Sequence, residues 1–218
     1  MPKDATVLRG SKLIKKAIDS AKGSGLITEP EAVPSSLVRK LKLPNGESLP
    51  PGMKELLSFD AAWIGVEYDE DEAEIEGMSL DEVIEEHFGE EAVSAFAEAS
   101  ELLSEDCVFF RGEHARPSCL YVGEADPAGE YPVLSFSWEG GAARIGGFVP
   151  FDVWAAQELG ALERGKTIGG VPAAYEPLVQ ALADSNGDGR VVFTPTGGDS
   201  EAEDEDEDDE DEERETED

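Results

Sequence analysis

The apolar residues of this chain change their spacing at Ser104, and that change limits the folds open to it. Before Ser104 they recur at helical intervals. In "VLRGSKLIKKAIDSAKGSG", Leu13, Ile14, Ala17, Ile18 and Ala21 share one face, ringed by Lys12, Lys15, Lys16 and Lys22. Gly23 and Gly25 then stop the helix. "SSLVRKLKLP" predicts a second short helix cut by Pro44, and "NGE" a turn. In "SLPPGMKELLSFDAAWIGV", Pro51 suits the first turn of a helix, where its missing N–H costs nothing. Met53, Leu56 and Leu57 share a face there, and the helix ends near Phe59. "YDEDEAEIEG" is too acidic to pack and reads as a solvated loop or an edge strand. "SLDEVIEEHF" opens with a capping box, Ser79 to Glu82, ahead of Leu80, Val83, Ile84 and Phe88 at helical period. "EEAVSAFAEASELL" continues as a helix with Val93, Phe96 and Leu103 inward.

After Ser104 the runs are short, aromatic or β-branched: "CVFFR", "SCLYVGE", "YPVLSFSW" and "AARIGGFV", separated by the turn chemistry of "GEHARP", "DPAGE" and "EGG". Tyr131, Val133, Ser135 and Ser137 alternate with Pro132, Leu134, Phe136 and Trp138. This predicts an antiparallel meander with one face buried. "PFDVWAAQELGALERG" returns to a helix with Val153, Trp154 and Leu159 apolar, "AAYEPLVQALADS" predicts another, and "RVVFTP" a last strand. Helices, then meander, then a closing helix make an α+β fold. The organisation expected is a basic amphipathic arm over 1–30, an α+β domain over 31–198 with an acidic insertion near 67–106, and a tail over 199–218.

Charge is segregated along the chain. The formal net charge is -34, yet residues 1–54 hold 10 Lys and Arg against 5 acids. Residues 199–218 hold 16 acids and Arg214 alone, and the remainder 30 acids against 6 bases. Between Glu55 and Phe110 there is no Lys or Arg. Uniform adaptation to high salt would not segregate charge in this way. A field of this sign repels phosphate and argues against nucleic acid as a ligand. The tail cannot bury enough area to offset its ordering entropy, so disorder is expected there. The basic helix could serve a membrane or an acidic partner, or dock on the chain's own acidic body. Two cysteines, no apolar leader and no run of eighteen apolar residues point to a soluble protein of a reducing cytoplasm.

The motifs that suggest chemistry lack their context. "GALERGKT", Gly160 to Thr167, has the phosphate-loop pattern, but a predicted helix precedes it where a strand is required, and Glu163 would face phosphate. "DSNGDG", Asp184 to Gly189, begins like a calcium loop, but its twelfth position is Pro195 and a strand follows. Cys107, His114 and Cys119 match no zinc spacing, and the cysteines, lying in apolar runs, are expected to be buried free thiols. His87 lies among Glu85, Glu86 and Glu90 as a surface helix residue. No nucleophile–base constellation is present. No catalytic residue, metal or cofactor is expected.

"LPPGMKELLSFDAAW" resembles the opening motif of the SUKH superfamily, the cell-wall-synthesis-regulator-like proteins, in which Leu-Pro precedes a short core helix. "CLYVGEADPAGEYPVLSFSWEGGAARIGGFVPFDVWAAQELG" is similar to the meander and Phe-Asp-led closing helix of that family. The resemblance spans about Leu43 to Gly160. The family places Asn-Gly after its first helix; here Asn45-Gly46 precedes it and Phe59-Asp60 stands in that place. The resemblance implies an α+β domain without catalysis and, in bacteria, an immunity protein that neutralises a toxin, often a nuclease. It also makes the Pro51 helix a core brace, with Leu56, Phe59 and Trp63 anchoring it under the meander.

A basic protein is therefore the expected partner, through Glu67, Asp69, Glu70, Asp71, Glu72, Glu74 and Glu76, seven acids packed into ten residues. The alternatives are an acidic escort for basic proteins, with the tail as main contact, and an enzyme that uses carboxylates.

Overall fold

The structure, a computed structural model, describes residues 8–27, 29–112, 117–139, 142–163 and 191–195. The helix expected over 173–185, the loop at Asp184 to Gly189, His114 and the acidic tail lie outside these residues.

A five-stranded sheet carries the fold. Its strands are β3 (Cys107–Phe110), β4 (Ser118–Tyr121), β5 (Pro132–Glu139), β6 (Ala142–Pro150) and β7 (Val191–Pro195), in spatial order β3-β4-β5-β6-β7. The first four form an antiparallel meander, and β7 joins β6 in parallel. Before them come α1 (Ser11–Ser24), α2 (Ser35–Val38), α3 (Pro51–Leu57), a small hairpin of β1 (Tyr68–Asp69) and β2 (Glu74–Ile75), then α4 (Leu80–Phe88) and α5 (Glu90–Leu102). Helix α6 (Phe151–Glu158) follows β6 directly. The class is α+β, as the change of period at Ser104 requires.

The meander buries both faces, which corrects the expectation of one. Val108, Phe110, Leu120, Val122 and Val133 pack beneath α1, α3 and α6. Cys107, Phe109, Cys119, Tyr121, Leu134, Phe136, Ile145 and Phe148 pack on the other side against Leu80, Val83 and Ile84 of α4 and Ala92, Phe96 and Ala99 of α5. The helices of the acidic insertion are thus the third layer of the domain. Serine misled the alternation: Ser118 and Ser135 face each other across β4 and β5 with their hydroxyls hydrogen-bonded at 2.9 Å, so their polarity is satisfied inside the sheet. A bulge between Val133 and Leu134 makes the β5–β6 register skip Phe148, which stands at φ 59 with its ring in the α4–α5 layer.

Helix α1 is part of the core. Leu13, Ile14, Ala17, Ile18 and Ala21 are all buried, against α3 and α6, and each large aliphatic side chain so buried contributes about 1.5–3 kcal/mol. Gly25 ends α1 in a left-handed cap. Pro51 occupies the first turn of α3, and the Ser79–Glu82 capping box forms both of its hydrogen bonds. The segment after α3 carries Trp63 to the closing helix, its ring 5.8 Å from that of Trp154, which in turn lies 5.0 Å from Phe110. The backbone at Trp63–Gly65 runs against the end of β3. A Cβ on Gly112 would sit 2.0 Å from the Trp63 carbonyl oxygen, so only glycine allows the two segments to meet. "SSLVRKLKLP" is helical only over Ser35–Val38, because Lys42 instead hydrogen-bonds to the hairpin through both its N–H and its carbonyl.

Candidate functional site

The seven predicted acids fall on the β1–β2 hairpin and its two flanks, and the hairpin is held to the body by backbone. Tyr68 pairs with Ile75 and Asp69 with Glu74. The Lys42 N–H donates to Ala73 O at 2.9 Å, and the Ile75 N–H donates to Lys42 O at 2.8 Å. Ile75 is the apolar pin, buried among the residues of the core. At the tip, Asp69 Oδ1 accepts the N–H groups of Asp71 and Glu72 at 2.7 and 2.8 Å, closing a turn that has Ala73 at φ 56.

This arrangement divides the seven. Glu67, Asp69, Glu72, Glu74 and Glu76 line a groove of about 560 Å³ whose other walls are Pro44, Tyr68, Ile75 and Gly77. Glu70 and Asp71 sit on the exposed turn and are not among its lining residues. The structure adds Asp106 from the segment before β3, which the sequence reading missed because it lies thirty residues away. The local signal was the continuing absence of Lys and Arg, which runs past Asp106 to Phe110.

Crowding shows in the protonation of these groups. A side-chain hydrogen bond to Glu67 raises the Glu76 carboxyl above its ordinary value, with slight burial and the Glu67 charge adding to the effect. Arg111 stands at the edge of the cluster. Its guanidinium makes a two-pronged contact with Glu86 at 2.6 and 2.7 Å, approaches Glu67 at 3.4 Å, and lies 5.5 Å from the Phe109 ring. That pairing holds the Glu86 carboxyl below its ordinary value. The groove is an anionic surface with an aromatic wall and one arginine at its margin, suited to receive cationic side chains.

A second titratable cluster is internal and was not foreseen. Asp152, in the first turn of α6, accepts Arg9 Nε at 2.7 Å and the Gly10 N–H at 2.5 Å, and Arg9 also pairs with Asp126. Beside them Glu130 is wholly buried, accepts the Gly52 N–H at 2.7 Å through Oε1, and has no partner for Oε2. A Cβ on Gly52 would lie 3.1 Å from both carboxyl oxygens, so the glycine makes the space that the carboxyl fills. Burial first, and the Asp152 charge next, push Glu130 up to about 8. The signal in the sequence was an acid flanked by apolar residues, in "GEYPVL" and "PFDVW". Asp152 and Asp126 fasten the start of α1 to α6 and to the turn at Asp126, and Glu130 ties that turn to α3.

Cys107 and Cys119 are buried free thiols on the α4–α5 side of the sheet, and burial raises Cys119 well above the ordinary thiol range. His87 is exposed on α4, beside the rings of Phe88 and Phe109. The segment before "GALERGKT" is α6, so the strand that a phosphate loop requires is not there. Among the described residues no group of His, Cys, Asp and Glu could hold a metal ion, and no helix is long and apolar enough to cross a membrane. Compared with known proteins, the chain matches no family model, no curated protein and no solved structure.

Proposed function

We propose that this chain is a non-enzymatic protein-binding module of the immunity type, which caps the basic face of a toxin. A nuclease is the kind of partner that fits, because its substrate site must itself be basic. The observation that carries the reading is the anionic groove, with five hairpin carboxylates and Asp106 gathered in a stretch that has no Lys or Arg. An acidic surface draws a basic cleft towards it through solution and, once docked, covers the site where phosphate would bind. The resemblance to the SUKH superfamily supports the same reading. In it the protein works in the cytoplasm, where Cys107 and Cys119 stay reduced. The acidic tail favours a second reading, an escort that shields many basic proteins.

Association kinetics with a partner captured from the native host test this, at two salt concentrations. Two variants are compared with wild type: Glu67, Glu72, Glu74 and Glu76 to Gln with Asp69 and Asp106 to Asn, and the turn pair Glu70→Gln with Asp71→Asn. The groove variant is expected to associate at least about 10-fold more slowly at low salt, and the turn pair at nearly the wild-type rate. Salt-insensitive association, equal in all three, overturns the electrostatic reading. Similar rates with unrelated basic proteins, lost on removal of residues 199–218, would favour the escort.

A further inference from the structure

The lysines of α1 stand opposite its core face. Turning about 100° per residue, Lys12, Lys15, Lys16 and Lys22 fall within an arc of about 120°, with Asp19 among them, while Leu13, Ile14, Ala17, Ile18 and Ala21 fill the opposite side. All four lysines are exposed. Lys15 and Lys22 also border an open groove of about 390 Å³ between α1 and α3, floored by Ile18 and Phe59 and edged by Glu55 and Ser58. Lys22 lies 4.4 Å over the Phe59 ring, and Lys15 is 3.5 Å from Glu55. The strip therefore has cationic heads on an apolar shelf, on a molecule whose charge is otherwise strongly negative.

We propose that the acidic segment 199–218 docks on this lysine face of its own chain. The first argument is charge. The segment holds 16 acids, residues 55–198 carry 30 acids against 6 bases, and a polyanion is repelled by nearly everything but the basic first quarter of the chain. Within that quarter, Arg9 is already committed to Asp126 and Asp152. The second argument is reach. Pro195 ends β7 four residues before Asp199. A twenty-residue segment extends up to roughly 65–70 Å, whereas a folded body of about 150 residues has a radius of gyration near 15 Å, so every face is accessible. The third is tethering. A segment on the same chain acts at an effective concentration in the millimolar range, so hydrated ion pairs that are individually weak suffice to populate the contact. The proposal stands on the sequence and on α1, and does not depend on the groove or its partner.

Paramagnetic broadening in the full chain tests it. A spin label on Thr216→Cys reacts selectively, because Cys107 and Cys119 are fully buried. At low salt the amides of α1 are expected to broaden several-fold more than those of α4. The difference is expected to vanish at ~1 M salt, where the screening length is about 3 Å, and in the variant with Lys12, Lys15, Lys16 and Lys22 all changed to Gln. If that variant loses its fold, seen in its amide dispersion, the salt arm on the wild-type lysines decides. Equal broadening of α1 and α4, none on α1, or broadening that survives salt overturns the proposal. So does broadening in a mixture with label and observed amides on different molecules, which would make the contact one between copies. Lysine-dependent binding to anionic vesicles without tail contact also overturns it, and assigns the strip to lipid.

Discussion

Glu130 is the residue at which burial and charge conflict most directly. Asp126 and Asp152 take the one guanidinium of Arg9, while Glu130 is wholly buried beside them, bonded to the Gly52 N–H instead, so an ionised Glu130 would be a buried charge with no cation bonded to it. The molecule resolves this by keeping Glu130 neutral. Its value in the fold, about 8, stands above the ordinary 4.5. Below pH ~4 the group is neutral both folded and unfolded, and its contribution to stability is complete. As pH rises towards 8 the unfolded chain gives up a proton that the folded chain keeps. Stability then falls by up to about 1.4 kcal/mol per pH unit, and this loss ends above 8. Glu130→Gln keeps the acceptor for the Gly52 N–H and removes the titration. Its urea unfolding curve is expected to match wild type at or below about pH 4 and to show greater stability at pH 8, by on the order of 1–4 kcal/mol. Parallel pH profiles for the two proteins would mean that Glu130 is ionised in the fold.

At the scale of elements, the Pro51 helix and the turn after it join the two ends of the domain. Leu56 and Leu57 are fully buried, Phe59 is half-buried, and Trp63 reaches the closing helix at Trp154. Asp60 secures the turn, accepting the N–H groups of Glu31 and Trp63 at 3.3 and 3.4 Å through Oδ1. Trp63→Ala is expected to cost on the order of 3–5 kcal/mol, because it opens a cavity beside Trp154 in the core. Thermal unfolding at neutral pH measures this directly. Near-wild-type cooperative unfolding would place Trp63 outside the core. The Pro51 helix was legible because proline and helical period are local, whereas its role as a brace was what the family resemblance implied. The covering of the second sheet face was not legible, since nothing in "YPVLSFSW" says that the strands beside it supply a partner hydroxyl for Ser135.

For the whole molecule the dominant quantity is its charge of -34. Self-repulsion of this size destabilises the compact state and is long-ranged, so it is screened before the partly buried Arg9 ion pairs are. The melting temperature is therefore expected to rise by several degrees between about 10 mM and 300 mM sodium chloride, over which the screening length falls from about 30 Å to under 8 Å. A melting temperature that falls with salt would show that attractive surface pairs outweigh repulsion.

Local rules determined the elements: the helices of Ser11 and Pro51, the Ser79 capping box, the four strands of the meander and the acidity of the hairpin were all readable from spacing and side-chain type. Only the tertiary structure decided that α4 and α5 form a full layer, that Asp106 joins the hairpin acids while Glu70 and Asp71 stand apart, and that Arg9, Asp126, Glu130 and Asp152 meet. The reason is physical. A helix or a turn is specified by contacts within a few residues, whereas the burial of a carboxyl and the sharing of a guanidinium depend on segments more than a hundred residues apart, and no periodicity records them.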